Sequence, residues 1–187
     1  MDTAPALIVP PARPEMPQAA AVAMLAAHGV TGCALLGRRG YYRDTMGVPG
    51  VQERGLYDDA ILLVTPTAYV TYNANCDPST SHRGMAVLEA GVWSYRVGIH
   101  GLSKPKDKQY LALVQAAPVT VHRDGEGDDT GWFGINIHRG GWHTTGSAGC
   151  QTIYPEQWPG FIATVRAEMH RHHLATIPYV LTERGAA

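Results

Sequence analysis

The sequence predicts a mainly β fold, a β-sandwich or open barrel, with flanking α-helices. From Cys33 onward the chain runs in short apolar or alternating stretches punctuated by Gly, Pro, Asn and Asp, the pattern of strands alternating with turns. No period of roughly 20–50 residues recurs, so a propeller or solenoid is disfavoured. A length of 187 residues suits one domain with one substantial core.

The elements follow in order from local chemistry. Residues 1–17 are rich in proline and predict an extended arm. Proline is tolerated in a first helical turn, so an alanine-rich helix over 17–28 follows and stops at Gly29. Residues 1–30 are therefore an N-terminal arm and helix, and 31–187 the β-rich unit. Strands are expected over 33–36, 60–65, 68–72, 92–99, 111–115, 119–122 and 132–138. Residues 123–130 read as a solvated, glycine-rich hairpin loop that lacks the ligand spacing of a calcium loop. Phe161, Ile162, Val165 and Met169 fall at helical spacing and predict a helix from about Pro159 that packs on the sheet. Residues 177–181 make the last strand.

Composition narrows the function classes. Hydrophobic residues make up 45% and charged residues 17%, the balance of a folded globular chain. Fifteen Lys and Arg against sixteen Asp and Glu leave a net charge of -1, with no basic run to track phosphates, so a nucleic-acid partner is not expected. Apolar stretches such as 19–27 and 60–64 fall short of the ~20 residues that span a bilayer, so no membrane insertion is expected. Asp2, the lack of Lys or Arg before Arg13, and the prolines at 5, 10 and 11 do not suit a secretory signal. The expectation is a chain made in the cytoplasm.

The three cysteines, Cys33, Cys76 and Cys150, cannot all pair with one another and lack Cys-x-x-Cys spacing. Cys33 and Cys76 read as structural, because a free cysteine is ordinarily a small buried hydrophobe. Cys150 differs in lying among glycine and serine. Twelve positions before it (150 - 138), His138 ends a predicted strand, and the intervening loop is glycine-rich enough to fold back. A cysteine attacks as thiolate, and a neighbouring imidazole can take its proton and return it to a leaving amine. Gly149 permits a backbone unavailable to other residues, and the Cys150 amide is the first choice of oxyanion donor. Ser147 serves as a turn former or positions the histidine. Arg139 and Trp142 suit a peptide carboxylate and a peptide face, and His100, ending another strand, is an alternative base or substrate contact.

Ile137-His138, two glycines, and then Ser147-Ala148-Gly149-Cys150 resemble the catalytic signature of the L,D-transpeptidase (YkuD-type) family: His-Gly or His-Ser, a loop, then Ser-His-Gly-Cys. The match is specific over residues 133–152. It implies a YkuD-like catalytic domain over 31–187 and an acyl-enzyme formed on peptidoglycan stem peptides at the carbonyl of the diamino acid. Cys150 would be nucleophile and His138 base, with no metal or cofactor. There are three departures from the signature: Arg139 replaces a small residue, Ala148 replaces histidine, and Gln151-Thr152 replaces an aliphatic residue followed by Arg or Asn. The loop wording looks like that of phage and prophage members, which points to hydrolysis by a lysin that reaches the wall after release or by dedicated export. A cross-linking L,D-transpeptidase is the alternative within enzymes. Outside them stand a non-catalytic wall-binding module and a zinc protein with His138, His143 and Cys150 as ligands.

Overall fold

The computed structural model describes residues 9–183. An α-helix, α1 (Gln18–Ala27), precedes β1 (Ala34–Arg39), β2 (Asp59–Val64), β3 (Tyr69–Asn75), β4 (Ala86–Leu88), β5 (Gly91–His100) and β6 (Tyr110–Gln115). There follow β7 (Val119–Arg123), β8 (Gly127–Gly131), β9 (Ile137–Arg139), β10 (Gln151–Ile153), α2 (Trp158–Arg171) and β11 (Ile177–Glu183). The fold is mainly β with flanking helices, as the sequence predicts, but the barrel is closed rather than open. Its strand order is β1-β11-β5-β6-β9-β10-β3-β2, and β4-β7-β8 form a separate three-stranded sheet. Closure comes from β1, which pairs in parallel with β11 and antiparallel with β2. No local pattern announces a parallel pairing between opposite ends of a chain.

Alternation along β1 and β2 divides the core in two, since successive side chains face opposite ways. Leu35, Ile61 and Leu63 join Tyr72, Tyr95, Leu113, Ile137 and Tyr179 in one cluster. Leu36, Leu62 and Val180 face the other way and are covered by Ala21 and Leu25 of α1. Gly37 interrupts β1 because the Tyr179 ring crosses it; a Cβ there would overlap the phenol. That passage lets Tyr179 Oη donate to Gln151 Oε1 at 3.0 Å, tying β11 to β10 beside Cys150.

Helix α2 starts one residue before the expected Pro159, which sits in its first turn. Trp158 packs edge-on to Tyr110 of β6 and Phe161 edge-on to Tyr72 of β3. At the far end, Glu168 accepts hydrogen bonds from Thr65 and Thr67 in the β2–β3 turn. The helix thus spans the side of the barrel where β9 and β10 are only three residues long. Among the described residues no helix is long and apolar enough to cross a membrane.

The polar loop expected over 123–130 is a tight hairpin whose residues 127–131 form β8. Cross-strand pairs His122–Asp128 and Arg123–Asp129, each at 2.9 Å, make a strand from a sequence that is polar throughout. Cys76 is fully buried against Tyr179, Cys33 is half-buried, and both thiols are free.

Below β1, Arg39 joins Asp77 at 3.0 Å and donates to the carbonyls of Cys76 and Leu88. Asp58 is fully buried near this pair. Burial, with the charges of Asp77 and Glu53, pushes its carboxyl up to about 7 from an ordinary 3.8. A folded-state value above the unfolded one means that the protonated carboxyl favours the fold. Its contribution is present in acid and disappears as pH rises from 3.8 through about 7. Asp58→Asn, which keeps the shape and cannot ionise, should therefore raise the melting temperature at pH 8 and leave it unchanged below pH 4. Equal shifts at both pH values would contradict this account of Asp58.

Candidate active site

His138 and Cys150 are placed by two adjacent parallel strands. In the β9–β10 register Gln151 lies opposite Ile137 and Thr152 opposite His138. Side chains in register point to one face. Ile137, Gln151 and Ile153 are fully buried, while Asn136, His138 and Cys150 face a groove. On the other side of β9, β6 pairs through Leu113 and Ile137, and β5 sets His100 opposite Tyr110. Both of those rings reach His138. The loop that returns from His138 is therefore a crossover between parallel strands and not the fold-back of a hairpin.

The expected strand over 132–138 is replaced by irregular chain that turns at Gly134, whose φ is +70°, and only Ile137–Arg139 join the ladder. Gln115 Oε1 accepts the amides of Phe133 and Ile135 at 3.1 and 2.8 Å, taking the place of a strand partner. This leaves the Asn136 amide free to donate to Cys150 Sγ at 3.4 Å. Two glycines are required by close approach. A Cβ on Gly149, whose φ is +122°, would lie 2.7 Å from the Ala86 carbonyl oxygen. One on Gly140 would overlap the Tyr57 hydroxyl, which holds the loop by donating to Gly141 O at 2.7 Å.

Cys150 Sγ has two hydrogen-bond neighbours, the Asn136 amide and Gly134 O, each at 3.4 Å. His138 and Cys150 line one lobe of the groove, of about 490 Å³, without a hydrogen bond between them. A second lobe of about 570 Å³ shares His100, Lys104, His138 and Gly146 with the first and adds Lys108, Tyr110 and Arg139. A larger concavity of about 950 Å³ between β5 and α2 holds no cysteine, so the chemistry is sought at Cys150.

Burial raises the Cys150 thiol above its ordinary value, opposed by the Asn136 amide and the Lys104 ammonium. Burial also lowers His138, with His100 adding to the effect, to about 4. Both groups are therefore neutral at rest. His138 Nδ1 lies 2.8 Å from Arg139 O and 3.2 Å from Tyr110 Oη; a carbonyl only accepts, so Nδ1 carries the proton and Nε2 the lone pair. His100 stacks on His138 with centroids 4.0 Å apart and planes 20° apart, and receives Asn136 Nδ2 at its Nδ1 at 3.1 Å.

Ser147 does not touch His138. Its Oγ donates to Cys150 O at 2.6 Å and accepts the Gly149 amide at 3.0 Å, so it braces the cysteine turn. Ser79 braces it in turn through Ser147 N and Thr145 Oγ1, at 2.8 and 2.6 Å. Gly149 N–H is committed, whereas the Cys150 N–H has no partner among the described residues. Arg139 lies over the Tyr110 ring at 5.3 Å in the second lobe. Trp142 is 60% exposed, packs edge-on to Tyr154 and lines neither lobe. His138, His143 and Cys150 do not converge as zinc ligands. Among the described residues only Glu89, His122 and Asp128 bring three such atoms together, on the separate sheet.

Sequence reasoning missed Asn136, Tyr110, Lys104 and Ser79. Asn136 was within reach, because residues two apart on an extended chain share a face. The others depend on the β5–β6 register or on loops distant in sequence. No family model matches the chain, and neither do curated proteins or solved structures.

Because the folded state holds His138 down, its basic form persists well below the ordinary midpoint of 6.5. Following the ring C–H of His138 by NMR should give a midpoint near 4, and the acid limb of any Cys150-dependent reaction should fall there too. A midpoint at 6.5 would place the ring in water instead.

Proposed function

We propose that this protein is a cysteine-nucleophile enzyme that cleaves peptidoglycan stem peptides, an L,D-peptidase with a YkuD-like domain of the phage-lysin kind. The observation that supports it is the joint presence, in one groove, of a thiol, a neutral imidazole with Nε2 unprotonated, and an unpartnered Cys150 amide. The restriction to wall peptides rests on the sequence resemblance, as does action at the wall after release or dedicated export.

In the proposed cycle, substrate fills the lobe between His138 and Cys150, and His138 Nε2 takes the thiol proton. The thiolate pair forms the C–S bond, and the carbonyl π pair moves onto oxygen, held by the Cys150 N–H. Collapse of the oxyanion expels the amine, which receives the proton from His138, and leaves a thioester on Cys150. Water, deprotonated by the same imidazole, then releases the acid and regenerates the thiol. A second amine in place of water gives a cross-linking transpeptidase. The two lobes meeting at His138 favour that second reading to the extent that a donor and an acceptor peptide each need a berth.

Digestion of purified peptidoglycan, with released muropeptides identified by mass, tests the proposal. Wild type should give shortened stem peptides, Cys150→Ala none, and His138→Gln a rate lower by roughly 10²–10⁴-fold. Dimeric products would select the transpeptidase. Digestion by Cys150→Ala equal to wild type would overturn cysteine catalysis, and a protein that binds wall without any turnover would be a binding module.

A further inference from the structure

A tetrahedral oxyanion is held best by more than one fixed donor. Backbone donors around Cys150 are in part committed: Gly149 N–H to Ser147 Oγ, Asn136 N–H to Cys150 Sγ, and Gln151 N–H to Asn136 O. Among the described residues the N–H groups of Cys150 and, two and four residues before it, of Ala148 and Gly146 remain. The same lobe is lined by His100, the ring nearest to hand for a side-chain donor, since the Ala148 side chain is only a methyl group.

The tautomer of His100 follows from its partner. Asn136 Nδ2 carries hydrogens and only donates, so His100 Nδ1, 3.1 Å away, must accept, and the ring proton sits on Nε2. In His138 the proton sits on Nδ1, donated to Arg139 O. Two stacked imidazoles thus hold opposite tautomers, one with a lone pair at Nε2 and the other with an N–H there. A single residue, Asn136, sets both halves of the site: its amide contacts Cys150 Sγ and its side chain fixes His100.

We propose that His100 Nε2–H is the second oxyanion donor, acting with the Cys150 N–H, and that Asn136 is the positioning residue that fixes the donor tautomer. The assignment rests on the acyl-transfer reading above. His100 gives and takes no proton in the cycle; a neutral imidazole can stabilise developing charge by hydrogen bonding alone. Burial and the Lys104 charge keep it neutral by lowering its pKa.

One spectrum and three variants test the role. The ¹⁵N shifts of the wild-type His100 ring should report a protonated Nε2 and a bare Nδ1; the reverse overturns the assignment whatever the activity. His100→Phe keeps a ring to stack but no N–H, and should lower kcat on stem peptides by roughly 10²–10³-fold, with KM changed by less than about threefold. His100→Gln, which restores an N–H, should recover part of that loss. Asn136→Asp should accept from Nδ1, move the ring proton there and lower kcat as His100→Phe does, with the flip visible in the ¹⁵N spectrum. Wild-type turnover with kcat unaffected by His100→Phe overturns the role alone. Wild type without Cys150-dependent product overturns the enzymatic reading and, with it, this role.

Discussion

Everything at the site depends on the parallel pairing of β9 with β10. Three residues on each strand suffice because the barrel holds both: Leu113 of β6 pairs with Ile137, and Ala74 of β3 with Ile153. With Thr152 opposite His138, the alternation of side chains sends Ile137, Gln151 and Ile153 inward and Asn136, His138 and Cys150 into the groove. A slip of one residue would bury the thiol and expose isoleucine, a change the apolar interior opposes strongly. The buried bond from Tyr179 to Gln151, made possible by Gly37, pins the register from the opposite wall.

The same packing that fixes the geometry sets the resting charge. Lowering His138 from 6.5 to about 4 corresponds to an order of 3 kcal/mol against the imidazolium. Burial opposes the thiolate as well, so the site rests as thiol and imidazole rather than as an ion pair. Lys104 acts in one consistent direction on all three groups: its positive charge disfavours a charged His100 or His138 and favours the Cys150 thiolate. In the proposed cycle activation therefore belongs to the substrate complex, where removal of the thiol proton is coupled to attack.

Much of this was legible in the sequence, but unevenly. Strands β2, β3, β5, β6, β7 and β11 follow from alternation and punctuation and α2 from helical spacing, whereas β4 and β10, three residues each, are too short to show a pattern. Barrel closure through β1 and β11 does not follow from local sequence, since it is a long-range pairing, nor does β8, whose strand is made by cross-strand charges rather than by apolar residues. At the site, His138 and Cys150 stand out by residue type and surroundings. The strand expected before His138 does not form, because the chain turns at Gly134 and Gln115, distant in sequence, satisfies the amides that a ladder would otherwise take. Of the two roles the sequence offers Ser147, turn former or support for the histidine, the structure shows the first. The stacking of His100 on His138 needed the β5–β6 register, which no single stretch of the chain discloses.

The central claim is that Cys150 carries a covalent acyl group during turnover. Rapid acid quenching of wild-type protein mixed with a purified stem tetrapeptide, followed by intact mass and peptide mapping, tests it most directly. The account predicts an adduct of the acyl fragment on the peptide containing Cys150, sensitive to hydroxylamine as a thioester is. Turnover of the tetrapeptide with no such adduct, or with the adduct on another residue, would contradict it.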